Sequence, residues 1–313
     1  IDALPIHEET GLPFTSMHPG VMHACGHDMH AAWAVGAGLL LAKHPAVGEV
    51  RILLQPAEEL GEGAQRVLSD GALDGVGAIF GAHVDWRFSV GEIVATPGPL
   101  AASTDTFEIT FHGKGGHGAR PQDTHDPIIG MSAFVSDVQT IVSRRLDPAL
   151  PGVVSIGMLH AGAAPNVIPE AATCAGTIRA TTPDSRALLC AEVERVAQAV
   201  AATHRLTARV KLTQGTPPLM NGARAAGWAQ EATQALLGDD ALRKLSLANM
   251  GGEDFAFYTE RIEGCFLRVG TWREGRERHG VHTPRFNPDE DALFIAAAVL
   301  AESARRASAA LHG

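Results

Sequence analysis

The chain has 313 residues, too many for one small core and about right for two domains. A formal net charge of −10 makes nucleic acid and anionic membrane poor partners, and an aromatic share of only 5% argues against a base-stacking surface. No apolar run reaches the roughly 18 residues that would span a bilayer.

The chain opens Ile1-Asp2-Ala3-Leu4-Pro5, which reads as the end of a strand running into a loop. With no initiator Met, the start is expected further upstream, and a signal peptide there stays open. Residues 27–43 read as a helix that is apolar over most of its surface (Ala31, Ala34, Val35, Leu39, Leu41) and therefore mostly buried. Glu49–Leu54 and Gly77–Val84 read as short strands rich in branched apolar residues. Both end in polar residues, Gln55-Pro56-Ala57-Glu58-Glu59 and His83-Val84-Asp85. Strands alternating with helices suggest an open α/β sheet whose ligands collect at the carboxyl ends of strands.

The pattern changes near residue 103. Phe107, Ile109 and Phe111 alternate with Thr106, Glu108 and Thr110, the mark of a half-buried strand. A helix is predicted over 127–144, with Asp126 as N-cap and Pro127 at its first position. Strands follow at Val153–Leu159 and Thr173–Ala180, then a helix from Pro183 to His204 capped by Thr182, then a strand alternating at Ala208, Val210 and Leu212. The order is β-α-β-β-α-β, the ferredoxin-like arrangement. An inserted α+β domain is therefore expected over 103–214, with 1–102 and 215–313 forming the domain that surrounds it. Beyond Gly215-Thr216-Pro217-Pro218, a helix at 222–237, a strand at 265–270 and a terminal helix at 289–311 complete that domain. The glycine-rich Gly113–Gly118 follows a strand of the insert and lacks the Lys-Ser/Thr of a phosphate loop.

Cys25, Cys174, Cys190 and Cys265 form no Cys-x-x-Cys pair and no disulfide framework, which fits a reducing compartment and a cytoplasmic location. The sharpest cluster is His23-Ala24-Cys25-Gly26-His27-Asp28-Met29-His30. Helix N-termini favour anions, so a Cys there loses its proton more easily, and thiolate with imidazole suits zinc and other late first-row divalent metals. A lone Cys would read as structural; with His27 and His30 beside it, metal is the better reading. Glu58 and Glu59 follow an apolar stretch and can diverge, one toward a metal and one toward a water whose pKa the metal lowers. His83 and His282, in Gly81-Ala82-His83 and Val281-His282-Thr283-Pro284, are ordinary alone and gain weight from this company. In the insert, His117 sits on a glycine-rich loop, and Asn166 and Arg179 flank a strand pair. Arg179 can grip a carboxylate bidentately or make a surface ion pair.

Together these motifs resemble the metallopeptidase and aminoacylase superfamily that includes glutamate carboxypeptidase, within it the branch of hippurate hydrolases and auxin-conjugate amidohydrolases. The resemblance is carried by Asp2-Ala3-Leu4-Pro5, Met22 to Asp28, Gln55 to Glu59, Gly115-Gly116-His117, Asn166-Val167-Ile168-Pro169, Gly176-Thr177-Ile178-Arg179, Gly252-Glu253-Asp254-Phe255 and His282-Thr283-Pro284, in family order over almost the whole chain. It implies a zinc-peptidase-like catalytic domain holding two divalent metal ions, and an inserted ferredoxin-like lid that makes homodimers or larger homo-oligomers. Zinc is the metal it favours, with manganese, nickel or cobalt as alternatives. Cys25 is implied as bridging ligand, His27, Glu59, His83 and His282 as the other ligands, and Asp2 as the carboxylate that orients them. Glu58 is implied as the general base that takes a proton from water and returns it to the leaving amine. His117 would steady the oxyanion, and Asn166 and Arg179 would hold the substrate carboxylate.

The implied reaction is hydrolysis of small N-acyl-L-amino acids such as hippurate-like or indoleacetyl conjugates. A dipeptidase or an N-carbamoyl-amino-acid hydrolase on the same scaffold, or an inactive metal-binding relative, are the alternatives. Family members carry several tens of residues before the Asp-Ala-Leu-Pro motif, so the resemblance also implies a truncated or processed chain.

Overall fold

Gly36 and Gly38 stand on one helix, and what touches them shows how the first unit is assembled. In the computed structural model, which describes residues 1–245 and 247–313, the first unit comprises Ile1–Leu100, Met220–Leu247 and Asp254–Gly313. Its helix His27–Lys43 packs on the terminal helix Ala292–His312 so closely that a methyl group on Gly36 would lie 2.9 Å from Ala297 Cβ. The buried stripe is Met29, Trp33, Ala37 and Leu41, each four residues from the next. Val35 and Leu39 are exposed, which corrects the expectation of a helix buried on most of its surface. One stripe meets the neighbouring helix, and the opposite face meets little.

Strand Ala78–Ser89 runs parallel to Glu263–Trp272, which lies antiparallel to the short Ile93–Val94, itself parallel to Leu242–Arg243. The first strand ends five residues beyond its expected end at Val84, because the ladder continues through Asp85 and resumes at Ser89. His83 is therefore mid-strand, not at a strand end as expected. Glu49–Leu54 forms no strand, a second correction. The described residues offer it no ladder partner, and Arg51 instead donates to the carbonyls of Ala72 and Asp74. The core of this unit gathers Met22, Trp33, Val84, Ile93, Leu267 and Phe286.

The second unit comprises Ala101–Leu219 and Ala248–Glu253. The latter segment was expected with the surrounding domain, but Asn249 bridges Ala101, and its carbonyl accepts the Ala102 N–H at 2.9 Å. The antiparallel sheet has the order Gly152–Ala161, Ala171–Ala180, Asp105–His112, Thr207–Thr213. That is the strand order of a ferredoxin-like sheet. Phe107, Ile109 and Phe111 point to one face and meet Phe134, Leu189 and Val196 from the helices.

Asp126 caps the first helix by accepting from the Ile128 N–H at 2.8 Å. Thr182 and Ser185 form a reciprocal capping box at Pro183–Thr203. The helix expected over 127–144 is two, Pro127–Asp137 and Gln139–Arg144, broken at Val138. The buried Asp105 takes two bonds from Arg186, at 2.8 and 2.6 Å, a bidentate pair tying helix to sheet.

Candidate metal centre

A tight turn presents Cys25. Gly26 has φ +79°, and a Cβ there would lie 2.9 Å from Val84, so glycine answers both the left-handed backbone and the close approach. The helix then begins at His27, which puts the Cys25 thiol and the His27 ring on adjacent sides of its N-terminus. Cys25 is buried, with Sγ 3.3 Å from His83 Nε2 and 3.2 Å from His282 Nε2.

His83 Nδ1 stands 2.8 Å from the Val84 carbonyl. A carbonyl only accepts, so Nδ1 carries the proton and the Nε2 lone pair faces Cys25. Burial pushes the His83 imidazole well below its ordinary pKa, and the Arg268 charge adds to this. Burial also lowers His27, against the pull of Asp2 and Glu59. Both rings are thus held neutral, the form that ligates metal.

His282 reaches the cluster on a strained backbone, with φ +62°, and its N–H donates to the Ala24 carbonyl at 2.7 Å. The loop after Gln55 is strained likewise, with Ala57 at φ +58°. It delivers Glu58 Oε2 to 3.7 Å and Glu59 Oε1 to 3.9 Å from His27 Nε2, and Glu59 Oε1 to 3.4 Å from His282 Nε2. Asp2 Oδ2 accepts the Glu59 N–H at 2.9 Å. Asp2 Oδ1 lies 3.3 Å from His27 Nδ1, an ion-pair distance off the hydrogen-bond line. Burial alone would raise the Asp2 carboxyl, but backbone donors and the facing imidazole hold it below the usual carboxylate range.

Four groups of donors converge closely enough to hold an ion, and two of them contain Cys25, with His27 and His83 and with Glu59 and His282; the others are His27 with Glu58 and Glu59, and Glu58 with Glu253 and Asp254. The two with Cys25 share one thiol. Glu59 Oε1 tests whether metal fits, because it is buried and makes no hydrogen bond although two imidazole nitrogens face it. A buried carboxylate oxygen left so is costly, and a cation between these lone pairs would remove the cost. Thiolate, imidazole and carboxylate form a donor set suited to late first-row divalent ions.

The structure brings Cys25, His27, Glu58, Glu59, His83 and His282 together. His117, Asn166 and Arg179 lie in the second unit. His117 is exposed, pairs with Val167 in a two-residue ladder, and accepts the Ala119 N–H at Nδ1. The Asn166 carbonyl takes the Gly118 N–H, which keeps Asn166 beside His117. Arg179 stands half-buried on the four-stranded sheet, opposite Val153. The sequence grouped His30 with Cys25 and His27 as a metal cluster, but among the described residues it belongs to no group of converging donors. It is half-buried against His83 with ring centroids 4.5 Å apart, and its Nε2 accepts the Val84 N–H at 3.0 Å. Its place three residues after His27, hence on the same helix face, was the available signal.

A shared thiol between two ligand groups, with a second carboxylate at their edge, defines a dinuclear metal hydrolase. The profile of peptidase family M20/M25/M40 matches residues 1–306. An N-acetyl-L-cysteine deacetylase of Bacillus subtilis is 40% identical, over 98% of this chain and 72% of its own. An IAA-amino acid hydrolase of Arabidopsis thaliana is 37% identical, over 97% and 70%. A crystal structure described as a dinuclear metal-binding peptidase of the M20 family, from Bacillus subtilis, superposes with a TM-score of 0.84 at 39% identity, covering 97% of this chain and 78% of that one. The chain belongs to peptidase family M20/M25/M40 and is a metal-dependent amidohydrolase.

Proposed function

We propose that the chain hydrolyses the amide bond of small N-acyl-L-amino acids, such as hippurate-like, acetyl or indoleacetyl conjugates, to an acid and a free amino acid. The observation that carries this is the pair of ligand groups sharing Cys25, with Glu58 3.7 Å from one of their imidazoles. The relatives support the acyl-amide class, since one is an N-acetyl-L-cysteine deacetylase and another an IAA-amino acid hydrolase.

In this reading Cys25, His27 and His83 hold one divalent ion, and Cys25, Glu59 and His282 the other. Zinc is the first choice for such donors, with manganese, nickel and cobalt as alternatives. Bound ions would polarise the amide carbonyl and lower the pKa of water toward about 7. Glu58 takes one proton from the attacking water as its oxygen adds to the carbonyl carbon. The same carboxyl then gives that proton to the nitrogen as the carbon–nitrogen bond breaks, so no other proton source is needed. Asp2 holds the Glu59 backbone and faces His27, and so fixes a ligand from each group.

By their motifs, His117 takes the developing oxyanion, and Asn166 with Arg179 takes the substrate carboxylate. The second unit would then serve as lid and dimerisation domain. Its edge strand Gly152–Ala161, with Met158 and Leu159 exposed, suits pairing with a second copy. No helix among the described residues is long and apolar enough to cross a membrane. The four cysteines, none of them in a disulfide, fit a cytoplasmic enzyme.

The test is release of free amino acid from a panel of N-acetyl amino acids, hippurate, an indoleacetyl conjugate, a dipeptide and a carbamoyl amino acid, after chelation and add-back of each metal. Metal-dependent cleavage of the acyl conjugates is expected. Cleavage of the dipeptide or carbamoyl compound alone would replace the substrate class. No cleavage by a folded, metal-loaded chain would leave an inactive relative.

A further inference from the structure

The segment Gln55–Ala64 must hold Glu58 and Glu59 in place although it forms neither helix nor strand before Gly63 and carries a left-handed Ala57. A backbone of that kind persists only where its surroundings over-determine it. The surroundings here are specific. Gln55 Nε2 donates to both Asp254 oxygens, at 2.9 and 2.8 Å. Gln55 Oε1 accepts the Tyr258 hydroxyl at 2.6 Å. The Asp254 Oδ2 that holds Gln55 also accepts the Ala64 N–H at 2.9 Å. One buried carboxylate therefore ties the entry of the segment to its exit. Gly63 closes the loop from inside, since a methyl group there would lie 1.8 Å from the Pro56 carbonyl oxygen.

We infer that Asp254, Gln55 and Tyr258 form a positioning clamp that sets Glu58 and Glu59 against His27 and His282. The inference rests on the amidohydrolase reading for what Glu58 does, and it assigns a use to the Gly252-Glu253-Asp254-Phe255 motif. None of the three clamp residues belongs to the two groups that share Cys25, although Asp254 also lies close to the Glu58 and Glu253 carboxylates. They act through the loop that joins them, and their effect falls on the base and on the ion held with Glu59.

The polarity of the clamp supplies its own test. In Asp254→Asn an amide faces an amide, and in Gln55→Glu a carboxylate faces a carboxylate. The double variant, carrying both substitutions, reverses the pair. Its new amide can donate to its new carboxylate, while the amide oxygen keeps the Ala64 N–H. For each single variant, kcat is expected to fall by about 10–100-fold with KM little changed, at full zinc loading. The double variant should recover most of that loss. Tyr258→Phe, which removes one hydroxyl and should fold in any case, should lower kcat by a smaller factor.

Calorimetry of zinc binding to the metal-free chain gives a readout independent of turnover. The ion held with Glu59 should weaken, and the one held by Cys25, His27 and His83 should not. If the wild-type chain cleaves nothing, the amidohydrolase reading fails while this zinc arm still judges the clamp. The clamp is overturned if folded single variants keep kcat within about twofold of wild type, or bind both zinc ions as wild type does. It is also overturned if the double variant is no better than the worse single one.

Discussion

The two units solve opposite problems. In the second, the sheet and its two long helices are largely regular, two helices carry side-chain caps, and the apolar residues of the central strand fall on one face. In the first, the residues that carry chemistry sit where regularity fails. Gly26 is left-handed, Ala57 and His282 have φ of +58° and +62°, and a buried Glu59 oxygen makes no hydrogen bond. Regular structure gives a stable scaffold, whereas a ligand cluster needs lone pairs that converge, and the backbone bends to bring them there.

Four changes test this contrast. The largest effect is expected from Glu58→Gln, which removes the proposed base and leaves both backbones alone. Turnover should fall by about 10²–10⁴-fold, while metal content and thermal midpoint hold. Substantial activity in that variant would remove Glu58 from the chemistry. Next is Phe134→Ala in the second unit, where a ring with no exposed surface meets Phe107 and Phe111. Urea unfolding should register a loss of about 3–5 kcal/mol. A smaller cost, about 1–2 kcal/mol for the left-handed backbone, is expected from Gly26→Ala, together with loss of metal because Cys25 shifts. An alanine variant that binds two ions normally would show that the turn is not needed.

The smallest effect concerns pH. Hydrogen bonds from Arg195 and Arg145 hold the Glu192 carboxyl below the usual range, outweighing its burial. A depressed folded pKa stabilises above the unfolded value of 4.5 and ceases to as pH falls through the folded value. The wild-type thermal midpoint should therefore drop more between about pH 5 and pH 3 than that of Glu192→Gln, which lacks the pair at every pH.

The same contrast governs what the sequence reveals. The alternation at Phe107, Ile109 and Phe111, and the cap pairs Asp126-Pro127 and Thr182-Pro183, announce the second unit because periodicity and capping are local. The break at Val138 and the return of Ala248–Glu253 to this unit have no local mark. In the first unit the chemistry of the ligand types is legible, since a thiol between histidines and paired carboxylates are rare company. The geometry is not. Neither Ala57 nor His282 signals a positive φ, and Gln55 and Asp254 meet across 199 positions of sequence. Glu49–Leu54 has the composition of a strand, but a strand also needs a neighbour, which composition cannot supply.

We propose above all that Cys25 is shared by two ions that amide hydrolysis requires. The direct measurement adds zinc stepwise to the metal-free chain and follows cleavage of an N-acyl amino acid beside bound metal, in wild type and in Cys25→Ala. Wild-type activity is expected to rise until two ions are bound per chain, and the variant to retain neither ion tightly and stay inactive. Full activity under chelation, or two tightly held ions in the variant, would contradict it.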